Sequence, residues 1–132
     1  MEPPDRLRPH PSDRWSHEVK VIDLTSAVAG LHAEGYPAIA GHRQIALGRH
    51  GPVTLLLFVF EKGGLLKQHQ AEGVVTIHAL NGHLEVAIGD QLSEIKQGQL
   101  LILPPRLRHS VRALEPSEML VSVHKFSNDG PA

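Results

Sequence analysis

Residues 63–82 read GGLLKQHQAEGVVTIHALNG, a glycine-framed run with the rhythm of a metal-binding strand pair. The run contains one well-placed histidine, His69, where further ligands would be expected. Ala71 and Val75 follow, and neither side chain has an electron pair to give to a metal ion. The stretch therefore raises two hypotheses: a metalloenzyme with an altered site, or a ligand-binding barrel that works without a metal.

Short apolar runs separated by turn residues follow one another from about residue 41 onward. Val53–Phe60 is apolar at both parities, which is typical of a strand covered on both faces. Asn81-Gly82 suits a tight type I′ hairpin turn between the runs GVVTIHAL and HLEVAIGD. Because there is no alternation of strands with helices, the pattern predicts an all-β sandwich or barrel of jelly-roll type. The other predicted strands are HRQIALG, QLSEI, QLLIL, HSVRAL and MLVSVHKF.

The chain of 132 residues is long enough to bury one core and is predicted to form a single domain over residues 19–126. Residues 1–18 are rich in proline and charge, and we expect an extended arm. Trp15 is predicted to dock this arm onto the domain or onto a second subunit. Residues 127–132 form a polar tail.

Two elements are expected between the arm and the first barrel strand. Val19–Ile22 is predicted to be a short strand. A brief helix follows through SAVAGLHAE, with Asp23 or Thr25 as its N-cap and an end near Gly35.

The composition excludes several classes of function. The formal net charge is −1, so no basic field favours nucleic acid or an acidic membrane surface. The absence of cysteine excludes disulfides, thiolate metal sites and cysteine nucleophiles. The first residues lack the apolar segment of a signal peptide, and the longest apolar run, Val53–Phe60, is too short to span a bilayer. We therefore expect a cytoplasmic protein that binds neither nucleic acid nor membrane.

From about Arg49 to Phe126 the chain resembles the cupin superfamily, the small double-stranded β-helix barrels. The first family motif, G-x5-H-x-H-x3-4-E-x6-G, falls on residues 63–82 with both glycines kept. The second motif, G-x5-P-x-G-x2-H-x3-N, falls on residues 98–113. The resemblance implies one cupin barrel with an N-terminal arm and a short helix. In the second motif Gly98, Pro104 and His109 match, while Arg106 and Ala113 replace a glycine and an asparagine.

The resemblance implies that the four metal-ligand positions of metal-containing cupins fall on His69, Ala71, Val75 and His109 in this chain. Two of the four keep a donor atom. The usual site therefore cannot form as such. Two possibilities remain. Other residues could help to hold a divalent metal (Fe, Ni, Mn or Zn), or the lumen could contain no metal.

His78 is the nearest candidate for a third metal ligand. Strand alternation places residues 75, 77 and 79 on one face and His78 on the other, so a regular strand turns His78 away from the lumen. A bulge near Gly73 could reverse that direction. Further candidates are His124, Gln68, Gln70 and Glu72.

Arg106 and Arg108 stand just before His109, at what would be the mouth of the barrel. Guanidinium groups there could orient a carboxylate or phosphate. Aromatic residues make up 4% of the chain, which disfavours ligands bound by stacking and favours a small, partly apolar acid. The wall is expected to be aliphatic, formed by Leu55, Leu57, Val59, Ile77, Leu84, Val86, Leu101, Leu103 and Val111 or their neighbours.

Two functions of different classes follow. The first is a barrel that binds a small organic acid in its lumen, with His69 and His109 as polar groups. The second is a metal-dependent oxygenase or isomerase acting on a small organic acid, with His69, His109 and a third ligand such as His78. The loss of two ligand positions favours the first. A third possibility, a structural dimerisation module, would require a filled lumen.

A homodimer is expected, because the resemblance implies pairing and the doubly apolar run Val53–Phe60 and the Trp-bearing arm suit one. The remaining histidines are expected to be solvated or locally bonded at the surface. They are His10, His17, His32, His42, His50, His83 and His124.

Overall fold

The structure is a computed structural model that describes residues 19–125. The predicted arm with Trp15 and the polar tail lie outside the described residues. Within that range the chain forms one helix followed by nine strands. In chain order these are α1 (Leu24–His32), β1 (His42–His50), β2 (Val53–Phe60), β3 (Leu65–His69), β4 (Val74–Asn81), β5 (His83–Ile88), β6 (Gln91–Lys96), β7 (Leu100–Leu103), β8 (His109–Ala113) and β9 (Ser117–His124).

The strands form two sheets that pack face to face. One sheet has the order β1-β2-β9-β4-β7 and the other the order β3-β8-β5-β6. All paired strands are antiparallel. Alternate residues of both sheets meet in one apolar layer, so the predicted all-β jelly-roll fold is confirmed. Side chains fully buried in this layer include Ile77 and Met119 from one sheet and Leu84, Val86 and Val111 from the other.

β2 is apolar on both faces because α1 covers the face that is turned away from the lumen. Leu56 lines the lumen, whereas Leu57 and Val59 are buried with Leu31 of α1 in a second, smaller cluster. Leu55 packs against the same cluster. The residues of β2 predicted from the sequence as barrel wall therefore lie on the outer face, and their neighbours form the wall. One helix of the same chain explains the pattern, so β2 no longer argues for a second subunit.

α1 starts where its first turn is capped by a side chain. The Asp23 carboxylate accepts a hydrogen bond of 3.1 Å from the Ser26 backbone N–H, which confirms one of the two predicted caps. Bonding to Ser26 also lowers the pKa of Asp23 below its ordinary value. Leu24, Val28 and Leu31 pack with β2 because their spacing puts them on one side of the helix.

The strand predicted over Val19–Ile22 is wrong. This segment pairs with no strand, and Val19 and Val21 are fully or nearly fully exposed. Ile22 alone packs against the cluster beneath α1. Extended residues without a partner strand cannot form the ladder of hydrogen bonds that defines a sheet. Nowhere in residues 19–125 does a helix have the length and hydropathy needed to span a bilayer.

The chain passes from one sheet to the other at Asn81-Gly82. β4 pairs with β7 and β9, while β5 pairs with β6 and β8, so the predicted hairpin is wrong and the dipeptide forms a corner. Gly82 has φ of 88°. The Ser117 hydroxyl lies against it and accepts a 3.0 Å hydrogen bond from the His83 N–H. A corner and a tight hairpin both require positive φ, so they share the same sequence signal.

The glycine positions of the two sequence motifs share one backbone conformation. Gly63, Gly82 and Gly98 have φ of 79°, 88° and 86°. Arg106, which replaces the fourth glycine, also has a positive φ, of 63°. A non-glycine residue in this region costs about 1–2 kcal/mol. The motif geometry is therefore kept at Arg106 although the glycine is absent.

We expect Gly82→Ala to unfold at markedly lower denaturant than the wild type. A Cβ at this position would overlap the Ser117 hydroxyl and the Pro116 carbonyl oxygen in addition to the strain of positive φ. Gly89→Ala is the matched control, because Gly89 also has positive φ but no atom lies within 4 Å of an added Cβ. Urea unfolding should show a loss of about 1–2 kcal/mol for the control and a larger one for Gly82→Ala. Equal losses would contradict the packed corner.

Candidate functional site

A register shift in β3 turns His69 toward the lumen. Leu66 pairs with Val111 on β8 and His69 pairs with His109, so three steps along β3 match two along β8. In a regular strand, residues three apart face opposite sides of the sheet. The extra residue in β3 reverses the alternation once, so that Leu66 and His69 lie on the same face and both line the lumen. The bulge considered near Gly73 does not occur, because β4 pairs with β9 in regular register from Val74 to Ala79. The register shift in β3 is a separate feature, and it orients a different histidine.

His69 and His109 form a pair of imidazole rings between β3 and β8. Their ring centroids are 4.2 Å apart and the ring planes are inclined by 57°. His109 is only 2% exposed, whereas His69 is exposed. The Nδ1 of His69 donates to the Lys67 carbonyl at 3.0 Å, and the Nδ1 of His109 donates to the Leu107 carbonyl at 3.1 Å. Both rings are thus held by their own strands.

The buried ring has a shifted pKa. Burial lowers the pKa of His109 below the ordinary value for histidine, because a charged imidazolium loses its hydration. The hydrogen bond to the Leu107 carbonyl opposes this effect, and the nearby His69 adds to it. His109 is therefore a neutral imidazole at neutral pH.

A cavity of about 220 Å³ lies between the sheets beside this pair. In the described part of the chain, the two histidines are the polar residues that line it, and the rest of the wall is apolar. The lumen is open, contrary to what a purely structural module would require. The apolar wall includes Leu56, Phe58, Ile77, Met119 and Val121.

His78 lies on the opposite face of β4 from the cavity. Val75 and Ile77 line the cavity, and His78 does not. Its register neighbours are Leu100 on β7 and Leu120 on β9. β4 is regular over Val75–His78, so strand alternation determines the direction of His78 as predicted.

The other candidate donors also lie away from the cavity. His124 is on the outer face of β9, where its Nε2 is 2.9 Å from the Ser122 hydroxyl. None of the oxygen donors proposed for the site lines the cavity, and all three are exposed: Gln68, Gln70 and Glu72.

Arg106 and Arg108 lie on the loop between β7 and β8, just before His109. Both are exposed, and neither lines the cavity. The Arg106 backbone N–H donates to the Ala71 carbonyl at 2.8 Å, which ties this loop to the loop between β3 and β4. Since Leu107 holds the His109 ring, the loop positions the site through its backbone.

His42 is more deeply placed than its sequence suggested. It was expected at the surface, but its ring lies 5.9 Å from Phe58 and 5.7 Å from Phe60. Its Nδ1 donates to the Leu65 carbonyl at 3.0 Å. His42 therefore packs against the aromatic rings at the end of β2 and is not a free surface residue. A single polar residue at the start of a strand carries no sequence signal for its direction.

The side chains present do not fit the metal site of the four-ligand pattern. Two imidazoles remain, while Ala71 and Val75 line the cavity where a histidine and a glutamate would stand. Across residues 19–125, no group of three or more His, Cys, Asp and Glu side chains is arranged to hold a metal ion. A catalytic metal usually needs three protein ligands.

We expect the stability to fall as the pH drops below about 6.5, in part because of His109. Its pKa is lower in the folded chain than the unfolded value of about 6.5, so the unfolded chain binds the proton more readily. The stability that His109 contributes is fully present above its pKa in the unfolded chain. It is lost as the pH falls through its lower pKa in the folded chain. Urea midpoints between about pH 8 and pH 5 should decline less steeply for His109→Gln than for the wild type. Identical slopes would contradict a lowered pKa.

Comparisons with known proteins agree with this architecture. The sequence matches the family described as Cupin domain over residues 56–124. No curated protein sequence matches the chain.

Several solved structures share the fold at low identity. A conserved protein of unknown function from Streptococcus pyogenes is 22% identical, covers 85% of this chain and 92% of its own, and has a TM-score of 0.65. A cupin-2 domain containing protein from Shewanella frigidimarina is 14% identical over 80% and 95%, with a TM-score of 0.63. KdgF from Halomonas sp. is 19% identical over 74% and 91%, with a TM-score of 0.61. The two sheets, the motif glycines and the match over more than half of the sequence lead to one conclusion: this chain belongs to the cupin family.

Proposed function

We propose that this protein binds a small organic acid with an apolar body in the lumen between its two sheets. The observation that carries the proposal is the 220 Å³ cavity, whose wall is apolar except for His69 and His109. An apolar pocket with a few convergent polar groups is the usual form of a small-molecule site. In this proposal the aliphatic wall holds the body of the ligand, and the histidines orient its polar group.

The volume limits the size of the ligand. An engineered apolar cavity of about 150 Å³ binds benzene, and sites for drug-sized molecules occupy about 300–1,000 Å³. The cavity of about 220 Å³ lies between these values. The proposed ligand is therefore about one ring with a small substituent, or a short branched chain of similar volume.

Arg106 and Arg108 fit the proposal as groups that attract the acid to the mouth. Both are exposed, so solvent and salt screen their charge and they add little to the affinity of the bound state. Exposed charges near a binding site act mainly on the rate of association. The two arginines are therefore assigned to ligand entry, and the histidine pair to ligand binding.

A metal-dependent oxygenase or isomerase is the second candidate, and the orientation of the rings favours it. Both Nδ1 atoms are hydrogen-bonded to backbone carbonyls, so the Nε2 atoms of His69 and His109 are the ones that could coordinate a metal ion. The enzyme needs a third protein ligand, and Ala71 is the lining residue at that motif position. This candidate ranks second because the residues present supply two ligands.

The binding proposal predicts that ligand affinity depends on free volume beside the histidines. Hexanoate and benzoate should bind the wild type with Kd of about 1 mM or lower, as a free energy of about 4 kcal/mol is reasonable for molecules of this size. Ala71→Leu should weaken both at least about tenfold, because the added atoms fill the lumen. Ala33→Leu, at an exposed position at the end of α1, is the matched control. Chemical shift changes in amide NMR spectra measure both affinities. Equal affinity of the acids for Ala71→Leu and the wild type would refute binding in the lumen.

The missing ligand can be restored to test the metal candidate. Ala71→His should bind Co²⁺ with visible absorption bands and at least about tenfold tighter than the wild type, because it supplies a third imidazole beside the pair. Ala33→His is the control, since it adds an imidazole away from the cavity. The wild type, purified without an affinity tag, is expected to hold less than one metal ion per chain. Stoichiometric Fe, Ni, Mn or Zn that disappears in both His69→Ala and His109→Ala would favour the enzyme instead.

A further inference from the structure

The hydrogen bonds of the paired histidines determine where each ring carries its proton. A backbone carbonyl oxygen only accepts, so the Nδ1 atoms bonded to Lys67 and Leu107 must both be N–H donors. A neutral imidazole has one N–H, and its other nitrogen is an acceptor. In the neutral rings, Nε2 of both His69 and His109 therefore presents a lone pair.

Neither acceptor has a hydrogen-bond partner among the residues that the structure describes. Within residues 19–125, the hydrogen bonds of His69 and His109 are those made by Nδ1. His109 is 2% exposed, and the other side chains that line the cavity, such as those of Val111 and Met119, have no hydrogen-bond donor. A buried acceptor without a donor is costly, and nearly all such atoms in proteins find one.

The charge state of a ligand matters at such a pair. An ionised carboxylate has only acceptor oxygens, so it would meet two lone pairs and no donor on the wall. The nearest guanidinium groups on the same loop, those of Arg106 and Arg108, are exposed and do not line the cavity. A hydroxyl group or an un-ionised carboxyl group brings the hydrogen that the site lacks.

We infer that the lumen selects the protonated form of a weak acid, such as a phenol, an enol or a neutral carboxylic acid, through acceptance of its hydrogen by the His69–His109 pair. This inference rests on the proposed function and names the chemical class of its ligand. The two rings are adjacent, with centroids 4.2 Å apart, and both line the cavity. The apolar wall provides no dipoles to solvate an anion.

Three probes of the same ring framework separate the possibilities: p-cresol, p-xylene and p-toluate. The p-cresol and p-xylene molecules have nearly the same shape, and only p-cresol has a hydrogen to donate. The titrations use the full chain after treatment with a chelator. They are made at about pH 8, where free imidazole is neutral and p-toluate is ionised. By NMR titration, p-cresol should bind at least about tenfold tighter than either p-xylene or p-toluate.

The outcomes distinguish the inference from the function on which it rests. If none of the three probes binds, the lumen is not a binding site and the proposed function fails with it. If p-xylene binds as tightly as p-cresol, the lumen binds ligands but the histidines do not select them. If p-toluate binds as tightly as p-cresol, the site takes anions. Either of the last two results overturns the inference alone.

Two further readouts test the histidines directly. Long-range ¹H–¹⁵N correlation spectra should show the Nδ1–H tautomer for His69 and His109 and a shift of the Nε2 resonances on addition of p-cresol. Protonated Nε2 atoms in the free neutral rings would overturn the inference. His69→Phe should remove most of the preference for p-cresol and keep p-xylene binding. Because His69 is exposed, this variant folds more readily than one at the buried His109.

Discussion

The apolar layer between the two sheets is the constraint on which the rest of the structure depends. Sheets that pack face to face stand about 10 Å apart, and side chains from both must fill that space. Leu84, Val86 and Ile77 do so where they are fully buried, each stabilising the fold by about 1.5–3 kcal/mol. Around Ala71 and Val75 the side chains are too small to fill it. The cavity is the part of the layer that this chain leaves open.

Alternation along the strands predicts much of this arrangement from the sequence. In β4 and β5 the buried residues fall at every second position, and the structure places Leu84 and Val86 inside and His78 outside as alternation requires. β2 has no such signal, because both parities are apolar. The position of α1, which packs Leu31 against Leu57, decides which set faces the lumen. The face of β2 that is turned to the lumen is therefore set by a tertiary contact, which the sequence of the strand alone does not predict.

Two local features of the site are equally hidden from the sequence. The extra residue between Leu66 and His69 has no signature, since neither glycine nor proline marks it. Without it, His69 would face away from His109. At Asn81-Gly82 the signal for positive φ is clear, but a hairpin and a corner both satisfy it. Whether the next strand pairs with the previous one depends on β9, whose Ser117 hydroxyl occupies the space beside Gly82.

The replacement of two ligand residues changes the site in more than one way. A histidine and a glutamate in the lumen would add donor atoms and a negative charge, and a cation would balance that charge. Ala71 and Val75 bring neither, so the wall becomes apolar and its free volume increases. Burial in these surroundings disfavours the charged form of His109, as its lowered pKa indicates. The same substitutions that remove the metal ligands therefore suit the ligand class proposed above, neutral molecules that donate a hydrogen bond.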